Sequence, residues 1–120
     1  MAVQIRKIGH AIRNECPPFS GYVDQLALTG GAAATYTVPA NCDTIGIGYG
    51  GEVSLGIVVY ARTDGGTAVV PAATITDGTG SEAIGNGERR EVSPGQTISF
   101  IAENGDTVLT LSCFGAKARI

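Results

Sequence analysis

The fold class follows most directly from Gln96 to Cys113, two alternating arms that meet at Asn104-Gly105. Asn-Gly suits a type I′ turn, in which both central residues take positive φ and the turn's twist matches the strands it joins. A hairpin closed there sets Glu103 against Asp106, Phe100 against Leu109 and Ile98 against Leu111. The opposite face then carries Ile101 against Val108, Ser99 against Thr110 and Thr97 against Ser112. Alternation on both arms around such a turn predicts antiparallel β-structure. A lone hairpin is marginal in water, so its apolar face needs a second sheet. Pro94-Gly95, placed for the centre of a type II turn, leads the chain in.

The rest of the body reads the same way. Tyr22, Asp24, Leu26 and Leu28 alternate as a first strand closed by Gly30-Gly31. Ala34, Tyr36 and Val38 form a second, followed by a turn over Pro39 to Asp43. Ile45, Ile47 and Tyr49 form a third, whose other face is bared by Gly46 and Gly48 so that another backbone can approach. Val53 to Ala61 is the cleanest single strand, and Asp64-Gly65-Gly66 turns it into a return over Thr67 to Val70, stopped by Pro71. Ala73 to Arg90 is the least regular stretch, with short edge strands expected around Ile75 and Ile84. Short strands separated by turns predict a sandwich, jelly roll or small barrel.

The sequence predicts one all-β domain, an antiparallel β-sandwich of jelly-roll-like type over residues 21–116. An extended or short helical arm covers residues 1–20, and a short basic tail residues 117–120. With 120 residues the chain can bury one modest core. Its charged fraction is 16 %, below the usual ~25 %, and its 18 glycines are about twice the common ~7 % share. Low charge suits a surface hidden in an assembly. The net charge of −3 is unevenly spread. Arg6, Lys7 and Arg13 precede every acid, and Lys117 and Arg119 follow the last, so the ends are basic and the body acidic. Ile5, Ile8 and Ile12 fall at helical spacing in the arm, weakened by Gly9 and ended by Cys16-Pro17-Pro18. Too short to stand alone in water, the arm packs on its own domain or clasps a neighbouring subunit.

No motif carries chemistry. Gly46-x-Gly48-x-x-Gly51 matches a dinucleotide fingerprint in letters only, because a period-2 strand follows where a helix N-terminus is required. Asp77 to Glu82 has two carboxylates, too few for a calcium loop. His10, the single histidine, lies in the arm, and neither GxSxG nor HExxH occurs. Three cysteines without CxxC spacing (Cys16, Cys42, Cys113) read as reduced thiols. Arg89-Arg90 between Glu88 and Glu91 reads as a locally compensated strand edge. The first residues lack the apolar core of a signal peptide, and no run reaches the ~18 apolar residues of a membrane span. The expectation is a non-enzymatic protein without cofactor or metal and without a nucleic-acid or membrane partner.

Thr35-Tyr-Thr-Val-Pro-Ala-Asn-Cys-Asp43, a glycine-broken β-stretch, Val70-Pro-Ala-Ala73 and Glu91-Val-Ser-Pro-Gly-Gln-Thr-Ile-Ser-Phe-Ile-Ala102 follow one another. This layout, over about Thr35 to Phe114, resembles small β-sandwich virion proteins of tailed bacteriophages. The resemblance implies a capsid decoration (cement) protein, commonly a homotrimer, made in the host cytoplasm and seated on the capsid surface between major capsid protein subunits. It brings no catalytic residues. Ile5, Ile8 and Ile12 would bury against a neighbour while Arg6, Lys7 and Arg13 meet acidic capsid surface. The competing expectations are a neck, tail or head-fibre component, a carbohydrate-binding sandwich using loops such as Asp77 to Gly87, and a small enzyme, for instance a carboxylate-pair glycosidase, that would need two of the eleven acids to converge.

Overall fold

In the computed structural model the described residues are 19–50 and 56–115. They form eight strands and no helix: β1 Tyr22–Leu28, β2 Ala34–Thr37, β3 Thr44–Tyr49, β4 Val58–Arg62, β5 Glu82–Ile84, β6 Glu88–Glu91, β7 Thr97–Glu103 and β8 Thr107–Phe114. Two four-stranded antiparallel sheets result, ordered β1-β8-β3-β6 and β2-β7-β4-β5. The all-β expectation therefore holds, in a sandwich-like form with one core shared by both layers. The basic arm and the C-terminal tail lie outside the described residues.

The pairings are nested: β1 with β8, β2 with β7, β3 with β6, and β4 with β5. Two further pairings, β3 with β8 and β4 with β7, knit them into sheets. Every connection changes layer except β4 to β5.

This order overturns the closing hairpin. β7 and β8 occupy different sheets, so the turn at Asn104-Gly105 is an arch from one layer to the other. Ile98 lies opposite Tyr36, and Phe100 opposite Ala34 and Ala61. Leu109 lies opposite Leu26 and Tyr49, and Leu111 opposite Asp24 and Ile47. Asn104 has φ 72°, as a type I′ turn wants, but Gly105 opens to 151° and sends the chain out of the sheet. The gain is burial. Phe100, Leu109 and Leu111 are each 0 % exposed in one core cluster with Leu28, Ile45 and Val59. Each arm becomes a central strand with partners on both sides.

Three other expectations fail for local reasons. The strand expected from Val53 begins at Val58, because Gly56, at φ 65°, breaks the alternation; residues 51–55 lie outside the described residues. Thr67 to Val70 does not return as a strand, because β4 already has β5 on one side and β7 on the other. This segment instead crosses the outer face of the second sheet, where the buried Ala68 donates its N–H to Ser99 Oγ at 2.8 Å. Ile75 is exposed and belongs to no strand, whereas Ile84 ends β5. The Pro94-Gly95 turn is as expected: Gly95 has φ 82° and Gln96 N–H donates to Ser93 C=O at 3.0 Å.

Candidate functional site

Polar side chains gather where β5 arches into β6, at the open seam between the layers. Glu88 and Glu82 converge on one cation. Arg90 donates from Nε and Nη2 to Glu88 Oε1 at 2.9 and 2.7 Å, and its Nη1 lies 3.0 Å from Glu82 Oε1. Glu88 also accepts the Gly85 N–H through Oε2. That bond, then Arg90, lowers the Glu88 pKa, and the two carboxylates raise that of Arg90. One residue from β5 and one from β6 are thus held by a single guanidinium, so the expected charge compensation is found at Arg90, through Glu88 and Glu82. Arg89 itself lies over the Phe114 ring, 4.7 Å from its centroid, a cation–π contact.

Within the same arch, Asn86 Oδ1 accepts Tyr49 N–H at 2.9 Å and its Nδ2 donates to Tyr49 C=O at 2.7 Å. The Tyr49 hydroxyl donates to Ile84 C=O at 2.8 Å. Behind this frame is a cleft of about 160 Å³ floored by Ile45, Ile47, Ile98 and Phe100. Glu82, Arg90 and Glu91 stand among its lining residues. A second hollow, about 390 Å³, lies beneath the β4–β5 connection beside Val69 and Ile75.

Elsewhere the acids serve the fold. Tyr36 donates to Asp24 Oδ2 at 2.6 Å across the layers, and Tyr60 to Glu103 Oε1 at 3.1 Å. Asp106 Oδ1 accepts Gly30 N–H at 2.8 Å, which ties the arch tip to the β1–β2 turn. Asp64 takes Arg62 Nε at 2.6 Å and Gly66 N–H at 3.0 Å, and its pKa falls, with Arg62 the largest cause. Asp77 Oδ1 accepts the Thr79 hydroxyl and N–H, which lowers its pKa. A glycosidase acid needs a carboxyl whose pKa is raised. Asp64, Asp77 and Glu88 move the other way.

The Cys42 thiol is buried and held in its protonated form. Cys42 is 2 % exposed, and burial followed by its contact with Cys113 pushes the thiol up to about 12. Burial and the bonds to Asp24 and Cys113 likewise raise the Tyr36 phenol. A nucleophilic cysteine needs the opposite shift.

The partner-binding residues expected from sequence, Ile5, Arg6, Lys7, Ile8, Ile12 and Arg13, all lie outside the described residues. In the loop expected to reach a glycan, the exposed Asp77 and Asn86 bond within the protein, Asp77 to Thr79 and Asn86 to Tyr49. Gly46 and Gly48 are strand residues within β3, and a side chain there would meet only ordinary contacts, at 3.8 Å from Phe114 and 3.6 Å from Asn86. Among the described residues, the backbone beside Gly46 is that of the paired strand, with Ser112 O 3.9 Å from a Cβ placed there. Among the described residues no three His, Cys, Asp or Glu side chains converge to hold a metal ion, and no helix is long and apolar enough to cross a membrane. The Asn86 clamp was missed from sequence, because a side chain pairing with backbone 37 residues away leaves no local pattern.

No protein-family model, no curated protein and no solved structure matches this chain.

Proposed function

We propose that this protein is a non-enzymatic virion component of a tailed bacteriophage, a jelly-roll decoration protein that binds between major capsid protein subunits and stabilises the head. The nested order of strand pairs carries the reading. Folding one long antiparallel ribbon so that β1 pairs β8, β2 pairs β7, β3 pairs β6 and β4 pairs β5 is how a jelly roll is wound. Capsid and lectin domains use that architecture. This is an argument from fold, and the side chains support it: the polar groups at the seam hold the protein's own strands together. In this reading Ile5, Ile8, Ile12, Arg6, Lys7 and Arg13 supply contacts to neighbouring subunits, including copies of this chain.

Quantitative mass spectrometry of purified particles, scaled to the major capsid protein, tests the proposal. Copy number comparable to the capsid protein is the expected result. A handful of copies moves the protein to the neck, tail or head fibre, and absence from particles overturns the virion reading. A chain lacking residues 1–20 is expected to remain folded and lose capsid binding.

A further inference from the structure

Each sheet has two edges, and three of the four are blunted. Native edge strands avoid unwanted pairing by being short, charged, proline-flanked or covered. β6 is charged at all four positions, Glu88 to Glu91. β5 has three residues and opens on Glu82. β2 has four and is followed closely by Pro39. β1 carries only one such device, the inward-pointing charge of Asp24, and among the described residues no other strand pairs with its open side. It runs for seven residues, Tyr-Val-Asp-Gln-Leu-Ala-Leu, without Lys, Arg, Gly or Pro. Its single carboxylate, Asp24, is turned to the other layer, where it accepts the Tyr36 hydroxyl. Among the described residues the backbone of Val23 to Ala27 pairs only with β8.

The outer surface beside this edge is equally free of charge. Across β1, β8 and β3 the outward rows read Val23-Ser112-Gly46 and Gln25-Thr110-Gly48, with Ala27 beside Val108. Val23 and Val108 are each about half exposed, at 49 % and 48 %. The second sheet, by contrast, has its outer face crossed by the protein's own β4–β5 connection at Ala68 and Ser99.

We propose that the free edge of β1 joins a second copy of this chain, the two β1 strands pairing antiparallel across a twofold axis to make one continuous eight-stranded sheet. An edge strand is self-complementary in this arrangement, since each copy offers the other the donors and acceptors it needs. Charge permits the same occupant: with the two Gln25 residues paired, Asp24 of one copy stands opposite Leu26 of the other, and no like charges face each other directly. A register centred on Gln25 sets Val23 of one copy beside Ala27 of the other and extends the uncharged face without a break. The contact is about 24 Å long, at ~3.4 Å per residue. The inference holds whether or not the protein belongs to a virion, so its failure leaves the particle copy number untouched.

Sedimentation of the full chain over a concentration range tests it, with Val23→Lys and Ala27→Lys as variants and circular dichroism as the check of folding. The expected result is a wild-type mass of two chains and dissociation constants raised about tenfold or more by each lysine, about 1.4 kcal/mol. Hydrogen exchange of the wild type gives a readout that needs no variant: the outward amides of β1 are protected at high concentration and exposed on dilution. A single-chain mass at every concentration overturns the proposal, as does a three-chain mass, which a twofold contact cannot close. Protection of β1 independent of concentration, the mark of an edge covered by the chain's own arm, also overturns it, and so does lysine-insensitive association.

Discussion

Asn86 finishes the β3 ladder with a side chain, its amide meeting both the N–H and the C=O of Tyr49 at 2.9 and 2.7 Å. β6 begins only at Glu88, so this amide extends the pairing of β3 beyond the reach of its neighbour's backbone. Each such bond contributes about 0.5–1.5 kcal/mol. Asn86→Ala is expected to lower stability by about 1–3 kcal/mol, read from the urea midpoint at unchanged slope. Asn86→Asp, which keeps the acceptor and loses the donor, should fall between the two.

Leu109 and Val108 are neighbours on β8 with opposite fates, one 0 % exposed and the other 48 %. Leu109→Ala is expected to cost about 2–5 kcal/mol through lost transfer energy and the cavity left behind. Val108→Ala should stay within about 0.5 kcal/mol, as surface changes do. Equal losses in denaturant unfolding would contradict the assignment of faces on β8.

The arch makes a sharper demand. Gly105 sits at φ 151°, inside the region that side chains avoid, while Asn104 at 72° occupies the left-handed well that asparagine tolerates. Gly105→Ala is expected to cost about 1–3 kcal/mol, seen as a lowered melting temperature. Asn104→Gly should cost less, losing the bond from Asn104 Nδ2 to Gly56 C=O at 3.1 Å without backbone strain.

The Cys42 thiol sets a pH limit on the alkaline side. Cys42 has an ordinary value of 9.0 and is held at about 12 in the fold, so the folded state keeps a proton that the unfolded state releases. Stability from this group is full below pH 9.0 and is lost as pH rises towards 12, by at most about 1.4 kcal/mol per pH unit for one proton. Tyr36, raised above its ordinary 10.0, acts in the same direction. Urea midpoints measured on either side of pH 9.0 should fall with pH, and Cys42→Ala should flatten the fall.

Much of the fold was legible because turn chemistry and period-2 burial are local. β1, β2 and β3 lie where alternation places them, and Pro94-Gly95 turns as its residues require. The arch was not legible. Alternation tells which side chains share a face but not whether two faces lie side by side in one sheet or stand opposite each other in two. Phe100 and Leu109 satisfy both readings, and only the partners available to each strand decide. Val53 to Ala61 read as continuous because a glycine on the outward face costs the pattern nothing, while Gly56 takes a φ that ends it. At the seam, the charges of Glu88 to Glu91 announced their own compensation, whereas the cleft behind them is a product of topology. The expected contact residues of the arm fall outside the described residues.

The nesting of the pairs has a consequence for how the chain reaches its fold. Each pairing encloses the next, so β4 with β5 closes the shortest loop and every later pairing adds only the stretch between successive strands. Loop-closure entropy grows slowly with length, so an inside-out zipper spreads the cost over small steps. The price of that order falls on the ends. β8 bridges β1 and β3, so during synthesis the first sheet lacks its central strand until β8 is made, and β1, the first of the eight described strands, waits longest for a partner.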